Sequence, residues 1–395
     1  TTSLDGQLAL LDGRQSMPKN SDLSRQFTSL LPSFQARYNL GMKRNLRMNY
    51  NTSNNAPSID QLQPVVNNNN TMQLSSGNPM LVQDYQHSLF LRYFSVTPES
   101  GKNVFWMINT QYSNNYISNK TILGGREAKW ILMDSNVFSG PQSGSESYSG
   151  SDSVLLSPGG QITIPVNVNG YYSLRLFGSW GKTIKKINVN TNAGITTSHI
   201  PSLIQMGNAK AILNYATNPS ITAGLVLASN ISEKIDFTVS GNGAYSQVIN
   251  SIQKTNNQTY INYNGRFAIN FMPTKKWVIN SDVTYQAYQG LSSSFNQQYY
   301  LWNAGLGYKF MKGNAGELRL TAYDILNQNR SIQRNVTQTY YEDVRTKVLT
   351  RYLMITFTYK LRKFNGKGED GKDMKMFFPG GMPPPGTPGH GMPGR

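Results

Sequence analysis

Six arginines, Arg37, Arg47, Arg92, Arg175, Arg266 and Arg319, sit in stretches where apolar and polar residues alternate, each on the polar side. A guanidinium stays charged, and its planar fork matches a carboxylate or phosphate. Few acids share those polar faces, so the row of cations calls for an anionic partner: carboxylates of another part of the protein, a sugar acid or a phosphate group. Catalytic chemistry has far less to work with. There are no cysteines, which removes disulfides, thiol nucleophiles and thiolate metal sites. The three histidines, His87, His199 and His390, are far apart and lack ligand-like spacing. Glu146 and Asp152 stand in a Ser/Gly-rich loop without a nearby histidine, and Asp134 is equally isolated. Tyr340-Tyr341-Glu342-Asp343 could hold a cation at a loop tip, but a solvated hairpin loop is the plainer use. No Gly-rich phosphate loop follows a strand and opens a helix. We therefore expect no catalytic residues, no metal and no cofactor.

The elements that carry the arginines read as strands. From Arg351 to Phe364, Leu353, Ile355, Phe357, Tyr359 and Leu361 fall on one face of an extended chain. Met354, Thr356, Thr358, Lys360 and Arg362 fall on the other. The same pattern places Phe267 and Ile269 opposite Arg266 and Asn270. One greasy face and one polar face per strand is how a chain crosses a bilayer beside a wet lumen. We expect Phe267, Ile269, Leu353, Ile355 and Phe357 to face lipid, and Arg266, Asn270, Thr356 and Thr358 to face inward.

Composition agrees. Only 38% of the 395 residues are hydrophobic, yet 11% are aromatic, with 23 Tyr. That suits a barrel with an apolar outside and a wet inside better than a close-packed soluble core. No run of 18 apolar residues exists, so no transmembrane helix is expected. The formal charge of +17 fits an anionic cargo, anionic lipid or lipopolysaccharide. Nucleic acid is a poor fit, because Lys and Arg are scattered singly along strands.

Along the chain, Gln7 to Leu11 reads as a short strand end, Ser33 to Leu40 as a strand, and Asn51 to Val82 as a long polar loop. Leu123 to Gly160 is the longest irregular region. Strands return at Gln161–Val168 and Tyr171–Trp180, followed by a basic turn from Lys182 to Lys186 and regular hairpins. The total is about 14 antiparallel strands with short turns at one end and long extracellular loops at the other. Residues 1–364 form the expected transmembrane β-barrel. Residues 365–395 are Gly/Pro/Met-rich and are expected to be a disordered periplasmic tail.

Four stretches carry a family resemblance: Leu30-Leu31-Pro32-Ser33; Pro57 to Pro64 followed by Gly77-Asn78-Pro79; Tyr323-Asp324-Ile325-Leu326-Asn327-Gln328-Asn329 before Arg334; and the strand Tyr352 to Phe364. Together they resemble the C-terminal barrel region of the outer-membrane β-barrel family allied to TonB-dependent receptors, over about residues 1 to 364. The resemblance implies a 22-stranded barrel with a plugged lumen, energised by a TonB-type periplasm-spanning partner. It also implies, in some relatives, an extracellular lipoprotein lid. The chain departs from it by lacking a plug and the segment that engages the energiser. Thr1 to Arg14 is no signal peptide, so the sequence is expected to be a C-terminal portion whose first strand pairs with a preceding one. The competing expectation pairs Gln7–Leu11 directly with the last strand.

Gln61, Leu62, Gln63, Pro64, Gly77, Asn78 and Pro79 are expected to shape an external loop, with ligand contact as the alternative. Asp324 and Asn327 are expected to bond a turn at the top of a strand. Two functions fit: uptake of a solute through a TonB-dependent receptor-like barrel, or a non-transporting barrel subunit that scaffolds an outer-membrane assembly. A barrel hydrolase would need a Ser/His/acid cluster that the sequence does not offer.

Overall fold

The structure is a computed structural model that describes residues 1–361 apart from 16–20, 42, 142–152, 230, 231, 233, 253, 291–296, 330 and 337–340. The tail 365–395, Glu146, Asp152, Tyr340, Arg362 and Phe364 lie outside the described residues.

The first strands are β1 (Thr2–Gln15), β2 (Ser21–Asn39), β3 (Arg44–Asn55), β4 (Val66–Asn67), β5 (Gln73–Ser76), β6 (Asp84–Thr97), β7 (Lys102–Asn114) and β8 (Tyr116–Leu123). Then come β9 (Lys129–Leu132), β10 (Ser153–Leu156), β11 (Gln161–Val168), β12 (Tyr171–Ile184), β13 (Ile187–Met206), β14 (Ile212–Thr217) and β15 (Ser220–Ser229). The last are β16 (Ile235–Asn250), β17 (Gln258–Phe271), β18 (Trp277–Gln289), β19 (Gln297–Phe310), β20 (Gly316–Tyr323), β21 (Ser331–Val336), β22 (Tyr341–Thr346) and β23 (Tyr352–Tyr359). Two one-turn helices, α1 (Ile59–Leu62) and α2 (Ser135–Phe138), lie in the loops.

The barrel wall is the antiparallel series β1-β2-β3-β6-β7-β12-β13-β15-β16-β17-β18-β19-β20-β23, in agreement with the expected strand number. Among the described residues β1 pairs only with β2 and β23 only with β20. Short turns such as Pro98–Gly101 and Lys185-Lys186 gather at one end, and the connections carrying α1, α2 and the remaining strands gather at the other. By the usual barrel asymmetry the first end is periplasmic and the second extracellular.

Pairing fixes the two faces. Phe357 opposes Leu318, Leu318 opposes Tyr308 and Tyr308 opposes Trp277, giving one exposed apolar row. Ile355, Leu320, Leu306 and Ile279 form the next. The opposite face carries Thr356, Arg319 and Gly307, then Asn280 and Gly305. Rings mark the two membrane boundaries. Tyr93 stacks on Trp106 and Trp277 meets Tyr308 near the short turns. At the other boundary, Tyr85, His87 and Tyr112 adjoin, and His199 is sandwiched between Tyr172 and Tyr215.

Several expected boundaries move. Strand structure in β1 and β2 runs well beyond Gln7–Leu11 and Ser33–Leu40, because the two pair residue for residue from Thr2↔Phe34 to Gln15↔Ser21. The basic turn shrinks to Lys185-Lys186, since Lys182 and Thr183 still pair with β13. The last strand is described as Tyr352–Tyr359, shorter than Arg351–Phe364.

The larger correction is that the described parts of the two regions read as loops, 51–82 and 123–160, fold. They build an extracellular cap. The upper half of β13 leaves the wall to pair with β14 and, in parallel, with β8. β8 pairs with β11, β11 in parallel with β5, and β5 with β4. Strand β11 is therefore a cap strand rather than a wall strand: Ile162, Ile164, Val166 and Val168 are buried inside protein and do not face lipid. Ile122, Phe138, Leu156, Ile131 and Met133 complete an apolar core. Each fully buried side chain of this kind contributes about 1.5–3 kcal/mol.

A lysine is sealed into that cap. Lys120 is buried and its Nζ donates to the carbonyls of Asn136, at 2.9 Å, and Val137, at 3.0 Å, around α2. Burial pulls its pKa from 10.5 down to about 8, against the opposing pull of Asp134. The unfolded cap thus keeps this proton to higher pH than the folded one. Cap stability should rise as pH climbs from about 8 towards 10.5 and be flat below that window. Limited proteolysis of the cap by a protease active across the range would show it. A pH-independent rate, or the same dependence in Lys120→Met, would refute the assignment.

Candidate functional site

The inward face carries amides and guanidiniums, with an apolar stretch of Phe90, Phe94, Phe105, Met107 and Phe177 on β6, β7 and β12. Asn192, Gly224, Asn242, Asn264 and Gln286 occupy successive opposed positions on β13, β15, β16, β17 and β18. Gly224 is what lets this band close up: a Cβ there would collide with the side chains of Asn192 and Asn242. Asn103 and Asn190 likewise meet over Gly181. Primary amides donate and accept, whereas guanidiniums only donate. The wall can therefore bond hydroxylated groups along the amide band and anionic groups at the arginines.

The six arginines do not form one cluster. Arg37, Arg47 and Arg92 are brought side by side, Arg37 opposite Arg47 and Arg47 opposite Arg92. Arg47 Nε donates to Asn49 Oδ1 at 3.2 Å. Arg175 stands apart on β12, opposite Asn109 and Thr196. Arg266 lies 3.9 Å from Asp282 on the adjacent strand. Arg319 bonds Glu317, two residues before it, through Nε at 2.9 Å and a terminal nitrogen at 2.5 Å. The last two thus have acidic neighbours in the wall itself, and both pairs are too wet to add much stability.

The motif residues of the long loops lie far above this row, in the cap, where the structure joins the two stretches. Ser58 caps α1: its Oγ accepts from Gln61 N at 3.2 Å while Gln61 Oε1 accepts from Ser58 N at 3.0 Å. Leu62 is fully buried. Asn78 N donates to Gln61 O at 2.6 Å, tying the second stretch to the first. Gly77 has no room for a side chain, since a Cβ would run into the carbonyls of Gln63 and Asp60. Gln63 and Pro64 continue the chain past α1, and Pro79 O accepts from Arg25 at 2.6 Å.

Asp324 sits at the top of β20 with φ +48°, its carboxylate accepting from Gln328 N at 2.8 Å and Asn329 N at 3.0 Å. Asn327 takes φ +57° in the same turn. Asp134, which reads as an isolated loop acid, caps α2 by accepting from Asn136 N and Val137 N. Asn167, absent from the sequence candidates, is buried, and its side chain bonds Val82 and Asn115 from β11. An asparagine between two valines in an apolar strand was the available signal. Among the described residues no group of three or more His, Asp or Glu could hold a metal.

The model of the outer membrane protein beta-barrel family matches residues 9–359. Among solved structures, a Pseudomonas aeruginosa FadL homologue is 9% identical, covering 91% of this chain and 88% of its own, with a TM-score of 0.31. The Pseudomonas putida toluene transporter TodX is 8% identical, covering 91% and 87%, with a TM-score of 0.26. No curated protein matches. With a family match spanning nearly the whole wall, alternating strands, aromatic boundaries and an apolar outer face, the chain belongs to the outer membrane protein beta-barrel family and is a β-barrel of the bacterial outer membrane.

Proposed function

We propose that this barrel mediates uptake of a polar solute across the outer membrane, as a TonB-dependent receptor-like protein and not as an enzyme. The observation that carries the reading is the lumen face, where amides run across β13 to β18 and arginines across β2, β3 and β6. In this reading the barrel meets lipid and lipopolysaccharide outside. A plug or preceding barrel half occupies or completes the inside, and a TonB-type partner supplies energy. A second reading keeps the barrel as a structural subunit that scaffolds other outer-membrane proteins or an extracellular lipoprotein. It is favoured by the cap, whose β9–β10 hairpin exposes Trp130, Leu132 and Leu155.

Deletion of the gene in its own host separates the two. Energised uptake predicts that accumulation of one class of polar solutes falls in the deletion strain and, in the parent, collapses with a protonophore. Passive passage predicts insensitivity to the protonophore. A scaffold predicts unchanged uptake of every solute and loss of other outer-membrane proteins from the membrane fraction.

A further inference from the structure

Arg37, Arg47 and Arg92 stand directly opposite one another on β2, β3 and β6. Directly opposed side chains share a face and lie about 4.5–5.5 Å apart at Cβ. The three guanidiniums therefore occupy a line of about 10 Å, two strand spacings long. Leu46, Met48, Leu91 and Tyr93 take the alternate positions on β3 and β6, so the arginines project into the lumen. The row is close to the periplasmic mouth: Arg37 is two residues from the end of β2, and Arg47 is near the start of β3.

Like charges placed opposite each other destabilise a sheet. Elsewhere in this wall an acid stands beside the cation, Asp282 by Arg266 and Glu317 by Arg319. Here none does: among the described residues no carboxylate comes within ion-pair distance of Arg37, Arg47 or Arg92. Among the described residues the Nε of Arg92 is buried and has no hydrogen-bond partner. A row of opposed cations with no acid beside it is costly, and an anion that bonds it would relieve that cost. On the same face Asn39 and Asn45, opposed to each other, and Asn49, bonded by Arg47, flank the row with neutral donors on β2 and β3, while Phe90 and Phe94 flank Arg92 on β6.

We infer that this row is a binding site for a phosphate-type oxyanion, best filled by a diphosphate. A single carboxylate has two oxygens and is satisfied by one guanidinium fork. A row of three forks needs more charge and more acceptor oxygens spread along its length, and a diphosphate supplies both. The row is on the face opposite the lipid-facing residues, so the anion inferred is a soluble one. The inference concerns the wall and holds whether or not the barrel transports.

The test uses the full-length protein in a phosphate-free maltoside detergent. Inorganic pyrophosphate is titrated calorimetrically at constant ionic strength, with orthophosphate, glycerophosphate and citrate as comparators. Saturable binding of pyrophosphate, tighter than citrate, is expected. The double variant Arg47→Gln/Arg92→Gln should weaken it by about tenfold or more, the loss of at least one charge-assisted hydrogen bond. Arg47→Lys/Arg92→Lys, which keeps charge but not the fork, should fall between. Arg266→Gln/Arg319→Gln should stay within about twofold, since those cations have acids beside them. Heat-modifiability on gels confirms that each variant is folded. Four results would overturn the inference: no saturable pyrophosphate binding, an unchanged affinity in the Arg47/Arg92 double variant, an equal loss in the Arg266/Arg319 pair, or citrate binding tighter than pyrophosphate. The equal loss would mean diffuse lumen charge, and the citrate result a carboxylate site.

Discussion

Replacing Phe267 by arginine should cost the barrel about 2–4 kcal/mol, while the same replacement at Asn264, three residues earlier, should cost little. Phe267 is 46% exposed and stands between Val239 and Val283 on the adjoining strands. Both directly opposed residues are valines, and the hydrocarbon of the bilayer cannot solvate a guanidinium. Asn264 stands between Asn242 and Gln286 on the opposite face, where water and amides can. The size of the effect follows from depth: the penalty peaks at the bilayer midplane and fades towards the interfaces. Phe267 lies inside β17, four residues from its periplasmic end, within the apolar band. Urea unfolding in lipid vesicles, with refolding checked for reversibility, reads the difference directly. Equal stability of Phe267→Arg and Asn264→Arg would show that the faces are assigned the wrong way round or that this strand does not meet lipid.

That facing was legible because a strand's period of two needs no knowledge of its partners. The hairpins from β15 to β20 have short connections and clear alternation, and their faces follow from parity alone. The cap was not legible, and β11 shows why. Ile162, Ile164, Val166 and Val168 alternate with Gln161, Thr163, Pro165 and Asn167 just as a lipid-facing strand would. Periodicity reports that one face is dry. It does not report whether lipid or another layer of protein keeps it dry. The same ambiguity hid Ile131, Met133, Val137 and Phe138 among the polar residues of the long loop, where they join a core that also takes Leu74 and Met80 from far earlier in the sequence.

The arginines divide in a similar way. Their common face could be read from parity, and Arg37 could be matched to Arg47 across a short hairpin. The third member of the row could not, because the cap segment carrying α1, β4 and β5 intervenes before Arg92. Nor could the acid near Arg266 be named, since Asp282 reaches it only through the register of β17 on β18. Register depends on turn geometry and on the neighbouring strand's own pattern, so contacts across strands are harder to read than faces within one.

Replacing Asn78 by alanine should unfold the cap while leaving the wall intact. Asn78 is fully buried, and every polar atom of its side chain is used. Its Nδ2 donates to Phe138 O at 2.8 Å and to Pro165 O at 2.7 Å, and its Oδ1 accepts from Met80 N at 2.8 Å. One amide thereby ties the loop after β5 to α2 and to β11, three pieces of the cap that share no continuous ladder at that point. Alanine would strip three backbone groups of their partners in a water-free place, at about 1–3 kcal/mol each before relaxation. A loss of about 3–5 kcal/mol is the expectation, enough to open a layer of this size locally. The wall should survive, because its ladders do not pass through Asn78. Gly77→Ala should act in the same direction by a different route, forcing apart the carbonyls that hold α1 against the chain. The measurement is proteolysis of residues 56–83 and 123–160 alongside the heat-modifiability of the barrel. Fast cleavage in both segments with normal barrel mobility is the expected pattern. The alternative use of Gln61 to Pro64 and Gly77 to Pro79, direct contact with a ligand, makes the opposite forecast: Asn78→Ala would then keep a protease-resistant cap and change only binding. A resistant cap would therefore remove the structural role assigned to these residues and return the motif to ligand recognition.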